Sequence, residues 1–243
     1  IAFVTSVNHE VRTPLTSLAA SLDVLSDRFA ADLPGGAAKL VAMASRNAER
    51  LLMLVNDILT LQAIDQGQRN VRMEPVSVAD ALQEAISTNS GYGLGAQVNL
   101  VCDLSDCDQN AFVQADGTRL QQIFSNLISN AVKYSPRHGE VRIGAACLDG
   151  KVTFWVKDNG PGIPQEAGER IFERFTKPVH AKGVQASGTG LGLAITKELV
   201  ERQGARISFE SITDDEDPER SGATFRVTFN ALTSREFVMG IAS

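Results

Sequence analysis

The first 65 residues carry apolar side chains that, after a first step of seven, recur at intervals of mostly four and three residues. These positions are Val4, Val11, Leu15, Leu18, Leu22, Leu25 and Phe29, then Leu40, Met43, Leu51, Leu54, Ile58 and Leu61, with Asn47 at one place in the second run. This heptad spacing is typical of helices that pack along their length. The helix-breaking segment from Asp32 to Gly36 separates the two runs. We therefore predict two long helices that form an antiparallel hairpin.

A hairpin of this kind has a single apolar stripe, and one copy alone leaves much of that stripe in water. Two hairpins related by a twofold axis would close a four-helix bundle and bury both stripes. The spacing therefore predicts a homodimer that assembles through the hairpin.

Composition narrows the class of protein. Hydrophobic residues make up 43% of the 243 residues, which is ordinary for a globular protein. The net charge of −6 argues against a general binder of nucleic acid or of anionic membranes. No apolar run approaches the ~20 residues of a membrane span, and the chain begins without Met. We expect a cytoplasmic fragment, with membrane attachment of the full-length protein left open.

The three cysteines are Cys102, Cys107 and Cys147. Their number is odd and their spacing does not match that of metal ligands, so free thiols in a reducing compartment are expected.

From residue 71 onward the hydrophobic period changes and the chain alternates between strands and helices. Strands are predicted at 71–78, 97–104, 111–114, 140–148, 152–157, 206–213 and 223–229, helices at 79–89, 116–134 and 191–203, and a glycine-rich loop at 91–95. This order predicts an α+β sandwich, a mixed sheet with helices on one face, separate from the helical hairpin. The predicted division is a hairpin over 1–66, a hinge over 67–71, the sandwich over 72–231 and a tail over 232–243.

His9 lies between the stripe residues Val4 and Val11, off the apolar face, so it is predicted to face water. Glu10 can hydrogen-bond one ring nitrogen and raise the basicity of the other. Thr13 lies about one turn further on and can orient a water molecule. A lone exposed histidine is more often an ordinary surface residue, so other parts of the chain have to decide.

Asn126 and Asn130 are four residues apart on one predicted helix, which continues to Lys133 and Tyr134. Amide oxygens suit a Mg²⁺ ion that keeps part of its water shell and shares phosphate oxygens. The lysine supplies a positive charge for those phosphates. Taken alone, the same spacing also fits the polar face of a surface helix.

Asp158, Gly160 and Gly162 follow a predicted strand. An aspartate at a strand end can accept a hydrogen bond from an exocyclic amine such as that of adenine, and the glycines let the backbone approach a flat ring. The alternative is a glycine turn with a capping aspartate.

A second glycine-rich run, Gly188-Thr189-Gly190-Leu191-Gly192, precedes a predicted helix. Free N–H groups at such a helix start form an anion cradle.

The connector between the two glycine runs contains Phe172, Arg174, Phe175, Lys177 and Lys182. Its length suggests a lid, and the alternative is a solvated loop whose two phenylalanines plug the core.

In this order the motifs resemble the catalytic core of the sensor histidine kinases of two-component systems, over nearly the whole chain. Residues 8–15 resemble the histidine box, 126–134 the asparagine box, 158–163 the first glycine box, 171–175 the phenylalanine box and 188–195 the second glycine box. The chain departs from the family at Asn8, where serine is usual, and at Thr176 and Lys177, where an aromatic residue and arginine are common.

The resemblance implies ATP-dependent autophosphorylation of His9, with Glu10 as base or orienting partner, followed by transfer to an aspartate on a response-regulator receiver. It implies that Asp158 binds adenine and that Asn130 ligates Mg²⁺ with Asn126 nearby. It implies further nucleotide contacts from Gly160, Gly162, Lys133, Tyr134 and Lys177 and from the run Gly188, Thr189, Gly190, Leu191 and Gly192. Thr13 would support phosphatase activity, and an upstream sensor domain is expected.

Two alternatives stay open on the sequence. One is an ATP-driven conformational clamp of the related ATPase superfamily, which explains the second domain but not the histidine box. The other is a non-catalytic dimeric scaffold that binds regulators through the hairpin. Whether each subunit modifies its own histidine or its partner's is also open.

Overall fold

The computed structural model describes residues 13–25, 34–65, 71–108, 110–176, 189–213, 215–217 and 219–232. The chain divides into two compact units. The first comprises Ile1–Arg69 with Ser187–Thr189, and the second comprises Asn70–Ala186 with Gly190–Ser243. Four predicted site residues, His9, Glu10, Lys177 and Gly188, lie outside the described residues.

The first unit contains two helices, α1 (residues 13–25) and α2 (Gly35–Asp65). Both coincide with the predicted heptad runs. Several large apolar side chains of these helices are exposed in the single chain, among them Leu18, Leu25, Leu40, Met43, Leu51 and Ile58. All six belong to the predicted stripe, which is therefore left partly uncovered by the hairpin itself. None of the helices in the described ranges is long and apolar enough to span a bilayer.

The second unit alternates strands and helices. Its elements are β1 (Glu74–Ser77), α3 (Val78–Ala96), β2 (Asn99–Asp106), β3 (Phe112–Ala115), α4 (Gly117–Tyr134), β4 (Glu140–Leu148), β5 (Lys151–Lys157), a 3₁₀ helix (Gln165–Phe172), α5 (Gly192–Arg202), β6 (Arg206–Ile212) and β7 (Gly222–Asn230).

Five strands form one mixed sheet in the order β2-β4-β5-β7-β6, and β1 pairs with β3 in a separate antiparallel ribbon. The β2–β4 pair is parallel and the other three pairs are antiparallel. α3, α4 and α5 pack on one face of the sheet, where Phe124 of α4 meets Phe154 of β5 edge to face with ring centroids 5.3 Å apart. The predicted fold class, a helical N-terminal part followed by an α+β sandwich, is confirmed.

Local sequence signals explain the bounds of α4. Asp116 accepts a hydrogen bond from the backbone N–H of Arg119 (3.0 Å) and so caps the helix start. The helix ends at Tyr134, just before Ser135 and Pro136, because the residue before a proline avoids helical backbone angles. One face, which includes Leu120, Ile123 and Leu127, is buried, and the opposite side carries the two asparagines.

The predicted loop at 91–95 is wrong, because α3 continues through it to Ala96. A Cβ atom at Gly93 would lie 2.7 Å from the carbonyl oxygen of Val98. Glycine is therefore present to let the helix approach the following strand closely. The helix stops instead at Gln97, which adopts a left-handed φ of 58° and whose N–H bonds back to the last turn.

The expectation of three free thiols is wrong for one pair. Cys107 and Cys147 form a disulfide, with Cα atoms 4.7 Å apart, and Cys102 is free and exposed. The parallel pairing of β2 with β4 places Asp106 opposite Ala146, and this register brings the two cysteines together although they are 40 residues apart in sequence.

Candidate functional site

Asp158 follows the last residue of β5 and is only 5% exposed. Its Oδ1 accepts hydrogen bonds from the backbone N–H groups of Gly160 (2.9 Å) and Ala223 (3.2 Å). Burial raises the pKa of this carboxyl to about 6, against the opposing effect of those two N–H groups. No described residue donates to Oδ2. The carboxylate is therefore mostly ionised at neutral pH, with one oxygen held and the other available to a ligand.

The first glycine box runs where side chains do not fit. Gly162 has a φ of 74°, and a Cβ there would collide with the carbonyl oxygen of Ile212. A Cβ at Gly160 would lie 2.7 Å from the carbonyl oxygen of Tyr134, at the end of α4. These contacts bring the Asp158 turn next to the helix that carries the asparagine box.

Asn126 and Asn130 have different surroundings although both lie on the polar side of α4. The Asn126 amide nitrogen donates to the carbonyl oxygen of Gly192 (3.3 Å) and to the hydroxyl of Thr196 (3.3 Å), both in α5. Asn130 is half-buried, and its side chain has no hydrogen-bond partner within the described ranges. Of the two amides, Asn130 is the one free to take up a ligand.

Lys133 and Tyr134 interact with each other at the end of α4. The Lys133 ammonium donates to the Tyr134 hydroxyl (3.2 Å) and lies 4.7 Å from the ring centroid. Burial raises the pKa of the Tyr134 phenol. The lysine side chain is otherwise exposed, so its charge reaches the solvent side of the asparagine box.

The second glycine box leads into α5. Gly190 has a φ of 74°, and its carbonyl oxygen accepts a hydrogen bond from the N–H of Phe175 (2.8 Å). Leu191 is buried and provides no side-chain cap, and no side chain in the described ranges accepts a hydrogen bond from the first-turn N–H groups of α5. Thr189 groups with the first unit, where its hydroxyl donates to the carboxylate of Asp57 (2.8 Å).

The two phenylalanines of the phenylalanine box behave differently. Phe172 is buried and contacts Phe209 and Phe225 edge to face, with centroids 6.1 and 6.4 Å apart. Phe175 is 66% exposed and adopts a left-handed φ of 64°. The alternative in which both rings plug the core therefore holds for Phe172 alone.

Metal binding by clustered acidic, histidine or cysteine side chains has no support, because the described part of the chain contains no group of three such residues. A Mg²⁺ ion at this site would be coordinated by amide oxygen and by the phosphate oxygens of a nucleotide. Asn130 can provide the amide oxygen. Thr13, the remaining predicted residue, lies exposed on α1.

Two site residues were not predicted, Thr196 and Ala223. Thr196 forms part of the Asn126 contact, and Ala223 holds the Asp158 carboxylate by its backbone. A backbone donor leaves no mark in a sequence. A threonine within an apolar helix face is the only signal that could have indicated the former.

Comparison with known families gives two matches. Residues 1–67 match the His Kinase A (phospho-acceptor) domain, and residues 115–233 match the histidine kinase-, DNA gyrase B- and HSP90-like ATPase.

Relatives match along most of this chain. The circadian input-output histidine kinase CikA of Synechococcus elongatus is 32% identical over 225 residues, 93% of this chain and 29% of that protein. The sensor histidine kinase WalK of Bacillus subtilis is 33% identical over 212 residues, 86% of this chain and 34% of that protein. The chain thus spans about a third of the length of these relatives.

The crystal structure of full-length ShkA in complex with AMPPNP is similar to this fold. Its TM-score is 0.71 at 28% sequence identity, over 96% of this chain and 46% of that chain.

A phospho-acceptor helical domain followed by an ATPase sandwich defines a histidine kinase catalytic core. The chain belongs to the sensor histidine kinases. Neither the clamp nor the scaffold is favoured, because both domains match and both of these relatives are histidine kinases.

Proposed function

We propose that this chain is an ATP-dependent histidine kinase core that transfers the γ-phosphoryl group of ATP to His9 and then to an aspartate of a response regulator. The observation that carries the proposal is the buried carboxylate of Asp158, whose Oδ1 accepts two backbone hydrogen bonds and whose Oδ2 has no donor among the described residues. Burying a carboxylate that is not paired with a cation costs free energy of folding. The presence of this one points to a ligand that donates a hydrogen bond to it.

Adenine supplies that donor. Its exocyclic amine would donate to Oδ2 of Asp158, whereas guanine has a carbonyl oxygen at the equivalent position and would be repelled. The backbone at Gly160 and Gly162 has no side chain that could block a flat ring. The site therefore favours ATP over GTP.

The phosphates would lie against the backbone of Gly190, Leu191 and Gly192, at the start of α5, where Leu191 provides no side-chain cap. Asn130 would ligate Mg²⁺ through its amide oxygen, with Asn126 nearby, and the bound ion would neutralise phosphate charge. Lys133 and Tyr134 border this region. Lys177, Gly188 and Thr189 are added to the nucleotide site by their place in the family motifs.

His9 would attack the γ-phosphorus with its free ring nitrogen. The bond from the γ-phosphorus to the bridging oxygen breaks and ADP leaves, so catalysis depends on positioning and on charge neutralisation. Glu10 would orient the imidazole or take its proton. An imidazole with an ordinary pKa of about 6.5 is mostly neutral at pH 7, which the attack requires.

The hairpin would form the homodimer. The exposed stripe on α1 and α2, which includes Leu18, Leu40 and Ile58, supports this assembly because a second copy would cover it. We also propose the division into a hairpin (1–66), a hinge (67–71), the ATP-binding domain (72–231) and a tail (232–243). The receiver of a regulator would dock beside His9, where Thr13 would position water for phosphatase activity.

Incubation of the full chain with ATP labelled at either the α- or the γ-phosphate tests the kinase activity. Protein that retains label only from γ-labelled ATP supports it. Nucleotide turnover with no label on the protein contradicts it and favours a clamp.

A further inference from the structure

Three polar groups meet where α4 contacts the first turn of α5. The carbonyl oxygen of Gly192 accepts from the Thr196 hydroxyl (2.9 Å) and from the Asn126 amide nitrogen (3.3 Å). The same amide nitrogen also lies 3.3 Å from the Thr196 hydroxyl oxygen. Because a carbonyl oxygen can only accept, the nitrogen of the Asn126 amide must face α5.

A buried threonine in a helix commonly satisfies its hydroxyl by bonding to the carbonyl four residues earlier. That explains the bond from Thr196, which is 0% exposed, to Gly192. It does not explain why an amide from a different helix reaches both atoms. The Asn126 contact ties α4 to the first turn of α5, whereas a self-satisfied threonine would not.

The N–H groups in the first turn of α5 have no side-chain acceptor among the residues that the structure describes. The direction in which they point depends on how this turn is held relative to α4, which carries Asn130 one turn beyond Asn126. A displacement of the turn by about 1 Å would misalign those donors with a polyphosphate.

We propose that Asn126 and Thr196 are positioning residues that hold the first turn of α5 so that its N–H groups and Asn130 address the same triphosphate. This inference rests on the proposed function and deepens it. Thr196 touches no substrate in this scheme and acts through Gly192. The affinity for a triphosphate therefore depends on the Thr196 hydroxyl. The affinity for adenosine depends on Asp158 and is independent of that hydroxyl.

Isothermal titration of the full chain with the Mg²⁺ complex of a non-hydrolysable ATP analogue, and separately with adenosine, tests the proposal. Thr196→Val removes the hydroxyl at nearly constant volume, and Thr196→Ser keeps it. Thr153→Val is the matched control, since it removes a hydroxyl bonded to that of Thr228 (3.0 Å) between β5 and β7.

We expect Thr196→Val to raise the Kd of the analogue by roughly tenfold, about the effect of one hydrogen bond, and to leave the Kd of adenosine within about twofold. Thr196→Ser and Thr153→Val should match the wild type. If Thr196→Val does not fold, Thr196→Ala carries the same expectation.

Equal losses for both ligands, or no loss for the analogue, overturn the positioning role while leaving the proposed function intact. A loss of analogue affinity in Thr196→Ser as large as that in Thr196→Val also overturns the positioning role. A wild-type chain that binds neither ligand fails at the proposed function itself, which separates the two failures.

Discussion

Two hydrogen bonds join Asp158 and Ala223. The Asp158 N–H donates to the carbonyl oxygen of Ala223 (2.9 Å), and the Ala223 N–H donates to Oδ1 of Asp158 (3.2 Å). The pair fixes the carboxylate between the end of β5 and the start of β7. Because burial raises the pKa of this carboxyl from 3.8 to about 6, its ionised form destabilises the folded state.

Asp158→Asn is therefore expected to stabilise the fold and to weaken nucleotide binding. Because its pKa is raised, the protonated Asp158 carboxyl contributes to the stability of the folded state below about pH 4. This contribution is lost as pH rises through about 6. At pH 8 the variant should gain about 3 kcal/mol at most, and near pH 4 the gain should fall below about 1 kcal/mol. Urea unfolding at both pH values measures this.

The control is Asp149→Asn, in the exposed β4–β5 turn, which should change stability little at either pH. A destabilised Asp158→Asn at pH 8 would show that the charge is compensated in the fold and is not held for a ligand.

Adenosine binding should depend on the ionisation of Asp158. A protonated carboxyl is a poorer acceptor for the adenine amine, so affinity should be constant above about pH 7 and fall as pH drops through about 6. Adenosine is the right probe, because it has no phosphate that titrates in this range. A flat profile between pH 5 and 8 would remove Asp158 from base recognition.

Asn130→Ala should remove most of the effect of Mg²⁺ on the affinity for a non-hydrolysable ATP analogue and leave adenosine affinity unchanged. The reason is the half-buried Asn130 amide, which has no partner among the residues the structure describes. Titrations with and without Mg²⁺ measure the effect. Ser129→Ala, on the same turn of α4, is the control, and an Asn130→Ala variant with a normal Mg²⁺ dependence would show that the ion is held elsewhere.

Gly162→Ala and Gly150→Ala separate backbone strain from crowding. Both glycines have left-handed φ values, 74° and 69°, but only at Gly162 would the added Cβ collide with a carbonyl, that of Ile212. Gly150→Ala should cost about 1–2 kcal/mol from the backbone angle alone. Gly162→Ala should cost at least about 1 kcal/mol more and should also weaken adenosine binding. Similar unfolding free energies for the two variants would contradict the close approach.

Locally encoded features were predictable. The start of α4 at the Asp116 cap, its end before Pro136 and the β4–β5 turn at Asp149-Gly150 each depend on residues within a few positions of one another. The turn residues have φ values of 51° and 69°, as a two-residue hairpin requires. The sequence motifs were recognisable for the same reason, since each box is contiguous.

Features that depend on distant pairing were not predictable. Gly93 was interpreted as part of a loop because its contact with Val98 and Leu100 exists only once β2 lies beside α3. The Cys107–Cys147 disulfide depends on the β2–β4 register. Within the site, the contacts of Ala223 with Asp158 and of Thr196 with Asn126 join residues 65 and 70 positions apart.

The most direct test of the central claim is phosphorylation of His9. The full chain, His9→Gln and His138→Asn are incubated with γ-labelled ATP, and the stability of the label in acid and alkali is measured. His138 is an exposed histidine with a left-handed φ of 64°, which asparagine tolerates, so this variant is the matched control. We predict an acid-labile, alkali-stable label on the wild type and on His138→Asn and none on His9→Gln. Equal labelling of His9→Gln would contradict the assignment of His9 as the phosphoryl acceptor.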